Sequence, residues 1–180
     1  MKTLVFLLMF WAESGCFAAD FSIQSSSWRD GSVMKDIYVF NGFGCAGGNV
    51  SPQVSWSNVP QGTKSFAVTV YDPDAPTGSG WWHWTVFNIP PGVTELKEGA
   101  GSDPSQLPAG AVEGRTDFGK SQYGGACPPA GDKPHRYILT VYALKTDKIS
   151  LDAGSSGALV GYYLNQNSLA KASLTAKFGR

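Results

Sequence analysis

The run Ser-Phe-Ala-Val-Thr-Val-Tyr at 65–71 most constrains what this chain can fold into. It is continuous, β-branched and aromatic, with turn residues on both sides, and predicts a strand buried on both faces. Two more runs read the same way, 82–89 (WHWTVFNI) and 135–144 (HRYILTVYAL). Residues 54–56 predict a short strand, and 36–40 is strand-like. Residues 41–52 read as a glycine-rich loop, 72–80 as an irregular loop and 90–125 as mostly polar loop. Ser155 or Ser156 can cap a helix through Ala158, Leu159, Tyr162 and Tyr163. After it, Ala170, Ala172, Leu174, Ala176 and Phe178 alternate with polar residues, predicting a final strand or extended segment. With 22 Gly and 11 Pro, the sum is one mainly β domain with one or two short helices.

Fourteen basic residues balance fourteen acidic ones. No basic block exists to track a phosphate backbone, which argues against nucleic-acid binding. The same balance gives no strong attraction to anionic membranes. A small anionic ligand needs only local donors and stays open.

Lys2 followed by the apolar run 4–12 (LVFLLMFWA) reads as a signal peptide, too short to span a bilayer. Cys16 and Ala18 place small residues for cleavage after Ala18, leaving a domain over 19–180. The alternative is a lipoprotein signal ending at Cys16, although Glu13 stands where that signal wants an aliphatic residue. Cleavage after Ala18 implies a periplasmic or secreted protein with no stable membrane anchor. Of three cysteines, Cys45 and Cys127 then remain in an oxidising compartment, both in Gly-rich stretches. They predict a disulfide closing a loop of roughly 80 residues, worth about 3–4.5 kcal/mol. Two free thiols are the alternative.

The chain has only two histidines. Strand alternation puts His83 on one face with Thr85 and Phe87, and His135 with Tyr137 and Leu139. Asp72 and Asp74 end the 65–71 strand at a corner stiffened by Pro73 and Pro76. The pair Gly124-Gly125 allows close backbone approach. Two carboxylates, two imidazoles, a phenol and glycine N–H groups suit a phosphate or carboxylate. Plainer readings stand beside this one. The aspartates can cap turns, His83 can be a hydrogen-bonded core histidine, and Tyr137 can be strand packing. Trp81, Trp82 and Trp84 read as core and rim. Asn49-Val50-Ser51 fits a glycosylation acceptor, a pattern common by chance. The loop 42–48 lacks the Gly-Lys-Ser/Thr ending of a nucleotide-binding P-loop.

Asp72-Pro73-Asp74-Ala75-Pro76, Trp82-His83, Gly125 with Pro128-Pro129, and His135-Arg136-Tyr137 occur in this order. Together they resemble the phosphatidylethanolamine-binding protein family, also called Raf kinase inhibitor-like proteins. The stretches TVYDPDAPTGSGWWHW and ACPPAGDKPHRY look like its bacterial YbhB/YbcL branch, and the signal peptide and cysteine pair like the exported YbcL type. The resemblance runs from about residue 21 to the end. It implies a β-sandwich of two antiparallel sheets with short helices and a pocket at one end. Residue by residue, it implies a ligand site of Asp72, Asp74, His83, Gly125, Pro128, His135 and Tyr137 for phosphate-like anions or phosphorylated head groups. Kinase inhibition is a label of the family's eukaryotic members, which act in the cytosol.

Three functions of different class follow. The first is a non-enzymatic binding protein without cofactor, consistent with the lack of a Gly-x-Ser-x-Gly elbow. The second is a metal-dependent hydrolase using the histidines and carboxylates, although no local His-x-x-x-His spacing exists. The third is a secreted interaction protein using Trp81, Trp82 and Trp84 as an anchor for a host or periplasmic partner.

Overall fold

A computed structural model describes residues 19–180. The signal segment, Cys16 and the cleavage site lie outside the described residues. In chain order the elements are β1 (Ser22–Gln24), β2 (Asn41–Gly42), β3 (Cys45–Ala46), β4 (Val54–Ser57), β5 (Ser65–Asp72), β6 (Trp81–Ile89), β7 (Glu95–Leu96), β8 (Val112–Glu113), β9 (His135–Leu144), α1 (Gly157–Asn167) and β10 (Ser168–Phe178). Among the described residues no helix is long and apolar enough to cross a membrane.

The three long apolar runs become adjacent strands. One sheet has the order β10-β9-β5-β6-β8, and a smaller one has the order β1-β4-β7; every pairing is antiparallel. β5 lies centrally, which explains why its residues are apolar on both faces. Its inner side chains Phe66, Val68 and Val70 join Trp56, Val54, Leu139 and Val141 in the main core between the sheets. Ala67 points the other way, into a second cluster where Val160 and Leu164 of α1 cover Phe87, Tyr142 and Leu144. The described residues therefore form a mainly β sandwich with α1 on its outer face.

The helix begins at Ser156, whose side chain accepts from Leu159 N at 3.3 Å, so the second of the two candidate serines is the cap. The alternating C-terminal segment is the edge strand β10, paired with all of β9. The strand-like stretch 36–40 is instead a 3₁₀ turn at Asp36–Tyr38, closed by Tyr38 N to Lys35 O and Val39 N to Asp36 O. The glycine-rich loop contains the β2–β3 hairpin, with Phe43 in left-handed backbone at its tip. The loop-rich stretch 90–125 holds the two-residue strands β7 and β8, too short to leave a periodic signal.

Candidate functional site

β5 ends, and β6 and β9 begin, at the same end of the large sheet, and loops from 117–129 and the β2–β3 hairpin fold over it. They enclose a cavity of about 210 Å³. Asp72, Thr77, His83, His135 and Tyr137 are its polar lining residues, and Phe43, Trp81, Phe118, Pro76, Pro128 and Pro129 make up much of the rest. The volume is below that of a drug-sized pocket and suits a small head group.

Asp72 holds the floor. Its Oδ1 accepts from the N–H groups of Asp74 at 2.8 Å and Ala75 at 3.1 Å, which turns the chain after β5. Its Oδ2 receives His135 Nδ1 at 2.8 Å, with both side chains buried. The turn cap and the histidine partner are thus the same carboxylate. The outer nitrogen of His135 lies 3.5 Å from the half-exposed Asp132 carboxylate.

His83 is held from behind. Its Nδ1 lies 2.7 Å from Gly124 O and 3.1 Å from Gly125 O, so Nδ1 carries the proton and donates to them. Burial lowers its pKa, against the opposing pull of the two carbonyls and Asp72. The imidazole is held neutral, and its Nε2 is an acceptor. Gly125 has to be glycine, because a Cβ there would lie 2.3 Å from Tyr38 O. The Gly125 N–H is taken by Asn49 Oδ1 at 2.8 Å, and Asn49 Nδ2 donates to Tyr123 O at 3.3 Å. The glycosylation-like asparagine is thus a brace for the pocket wall, and Ser51 beside it is fully buried.

Alternation does not describe β6 at this end. Val70 pairs with Trp84 and Tyr71 with Trp82, so β6 carries an extra residue at His83. The bulge turns His83 inward beside Tyr137, ring centroids 5.1 Å apart, whereas Phe87 faces the helix. The expected face shared by His83, Thr85 and Phe87 is corrected accordingly. The expected tryptophan rim is also revised. Trp84 is a core side chain donating to Glu113 Oε1 at 2.7 Å, and Trp82 packs on Tyr71 and against Gly157 of α1. Trp81 alone of the three lines the cavity.

Two donors there lack a partner. The Tyr137 hydroxyl and the Trp81 indole N–H are buried and bonded to nothing among the described residues. Tyr137 is 1% exposed, and burial raises its pKa, so it stays a neutral O–H donor. Buried unpaired donors are rare and costly, and the residues that carry these two both belong to the cavity lining.

With that geometry in place, comparison with known proteins decides the family. A model of the phosphatidylethanolamine-binding protein family matches residues 24–179. The chain belongs to the phosphatidylethanolamine-binding protein family. It is 58% identical to the YbcL protein of Escherichia coli K12 over 177 residues, 97% of each chain. It is 53% identical to YbhB of the same strain over 154 residues, covering 86% of this chain and 97% of that one. The crystal structure of E. coli YbcL superposes with a TM-score of 0.88 at 60% identity, covering 90% of this chain and 99% of that chain.

Within this member of the family, five of the seven expected site residues meet at the cavity: Asp72, His83, Pro128, His135 and Tyr137. Two do not line it. Asp74 turns outward to Arg136, with Arg136 Nη2 to Oδ1 at 2.6 Å, Nε to Oδ2 at 2.8 Å and the backbone N to Oδ2 at 2.9 Å. That fork holds the Asp74 carboxyl down at about 2. Gly125 stands behind His83 and acts through its carbonyl. Phe43 and Phe118 belong to the cavity and were not foreseen. Phe118 touches Phe40, Trp81 and His83 at centroid distances of 4.2, 5.3 and 5.4 Å. Its signal was a lone aromatic in the polar stretch 115–122.

The predicted disulfide is present. Cys45 and Cys127 are bonded across a separation of 82 residues. It ties the hairpin bearing Phe43 to the wall bearing Pro128. Arg180 ties the same two segments, donating to Pro128 O at 2.7 Å, Gly44 O at 3.0 Å and Phe43 O at 3.3 Å. Among the described residues, no group of three or more His, Cys, Asp or Glu is placed to hold a metal ion.

Proposed function

We propose that this chain is an exported, non-catalytic binding protein whose pocket holds a small phosphate-like anion or phosphorylated head group. One observation carries the reading. Among the described residues, the hydroxyl of Tyr137 and the N–H of Trp81 are unpartnered donors on two residues of a cavity lining that also includes the Asp72–His135 pair. His135, held through Nδ1 by Asp72, lines the same space. Nothing in the site pairs a nucleophile with a base. Asp72 is spent on the turn and His135, and His83 Nδ1 on two carbonyls. Export is supported by the signal-like segment and by the disulfide. The Raf kinase inhibitor-like label belongs to the family and adds no partner here.

Calorimetry with inorganic phosphate, phosphorylethanolamine and acetate tests the site. Binding that Tyr137→Phe and His135→Ala leave unaltered would place the ligand elsewhere. A second reading, a surface for a protein partner, draws on Phe43, which is 69% exposed at the pocket mouth. Unchanged partner capture by Phe43→Ser and Trp81→Ser variants would remove it.

A further inference from the structure

The cavity's charges do not suit every anion. Among the described residues, no lysine or arginine lines it. The Arg136 guanidinium is committed to Asp74, outside the wall. The groups that face the cavity or its histidines are Asp72 from β5, His83 from β6, Asp117 and Asp132 from the loops, and His135 and Tyr137 from β9. Three of these are carboxylates. A dianion here would sit beside the buried Asp72 carboxylate with no lysine or arginine in the lining to offset it, where screening is weak.

The hydrogen-bonding inventory points the same way. Tyr137 O–H and Trp81 N–H can donate. His83 cannot. Its Nδ1–H is spent on Gly124 and Gly125, and the brace from Asn49 fixes that arrangement. The remaining Nε2 has no hydrogen-bond partner among the described residues and can only accept while the ring is neutral. A ligand filling this set must bring both acceptor oxygens and a hydroxyl.

We infer that the pocket takes a phosphate-type ligand in its singly protonated, monoanionic form. His83 Nε2 accepts the ligand's P–O–H, and Tyr137 and Trp81 donate to its other oxygens. The inference rests on the anion-site reading above and goes beyond it by naming the protonation state.

Methyl phosphate and methyl sulfate separate the proton from the charge. Phosphate monoesters lose their second proton near about pH 6. At about pH 5 both esters are tetrahedral monoanions, and only the phosphate carries an O–H. Titration calorimetry of the full-length exported protein at that one pH keeps every protein group in the same state for both ligands, and imidazole NMR shifts at the same pH check that the His83 ring is neutral there. Methyl phosphate is expected to bind at least about tenfold more tightly, the effect of an unmade hydrogen bond to a buried acceptor. Equal affinities, or tighter sulfate, would overturn the inference and leave the anion site standing. Binding of neither ester would overturn both. In a folded His83→Phe variant the preference should collapse toward equality, and a preserved preference would show that His83 is not the acceptor.

Discussion

Asp72 Oδ2 lies 2.8 Å from His135 Nδ1, and the two side chains are 3% and 5% exposed. The other oxygen of the same carboxylate caps the turn that starts the DPDAP segment. One residue therefore closes the corner after β5 and orients the imidazole at the start of β9. Asp72→Ala removes one half of a buried pair and two caps together. It should lower unfolding free energy by about 3–5 kcal/mol, a large share of a typical domain's stability. Urea denaturation of wild type and variant measures this. A loss below about 1 kcal/mol would mean that solvent replaces the pair and that Asp72 is not a structural hub.

Tyr137→Phe separates ligand binding from folding. The hydroxyl has no partner among the described residues, so its removal strands none of them. Stability should stay level or rise slightly, because a buried unsatisfied donor is gone. Affinity for the anionic ligand should fall about 10–100-fold, matching about 1.5–3 kcal/mol for a hydrogen bond to a charged group. Paired melting and calorimetry on the same sample check both halves.

These two residues also show what could be read from sequence. The strand run 65–71, the corner aspartates and the pairing of His135 with Tyr137 on one strand face were legible, because each rests on local period or turn chemistry. The side taken by His83 was not. It depends on a bulge whose extra residue is visible only against β5. Nor could the motif say that Asp74 would meet Arg136 while Asp72 met His135. Both carboxylates lie within reach of the same corner, and a backbone turn decides between them. Phe43 and Phe118 come from loops without periodicity, so nothing local announced that they close the cavity.

Glu113 makes stability depend on pH. Its carboxyl is buried beside Trp84, with Oε2 unpartnered, and burial raises its pKa from 4.5 to about 7, partly opposed by the Trp84 hydrogen bond. A raised folded pKa means that the proton is bound more tightly in the native state. The contribution is fully present below about pH 4.5 and is lost as pH rises through about 7. At high pH the loss is on the order of 3 kcal/mol. Glu113→Gln keeps an acceptor for Trp84 and cannot ionise. Between about pH 5 and 8.5, wild type should lose this stability and the variant should not. Parallel urea midpoints for the two proteins would remove Glu113 from the account.

The hairpin over the pocket has two tethers. The Cys45–Cys127 bond and the Arg180 guanidinium both join 42–45 to the wall at 127–128. Replacing both cysteines by serine removes a constraint on the unfolded chain worth up to about 4.5 kcal/mol for a loop of this length. Arg180→Ala in the disulfide-bonded protein should cost little, because an exposed side chain loses bonds that water can replace. Without the disulfide, Arg180 is the remaining clasp on the segment carrying Phe43. Its removal should then cost more, giving a coupling of about 0.5–3 kcal/mol in a double-mutant cycle. Ligand affinity should show the same pattern, since Phe43 and Pro128 line the cavity. Strict additivity in both stability and affinity would mean that the two tethers act independently and that Arg180 does not hold the pocket mouth.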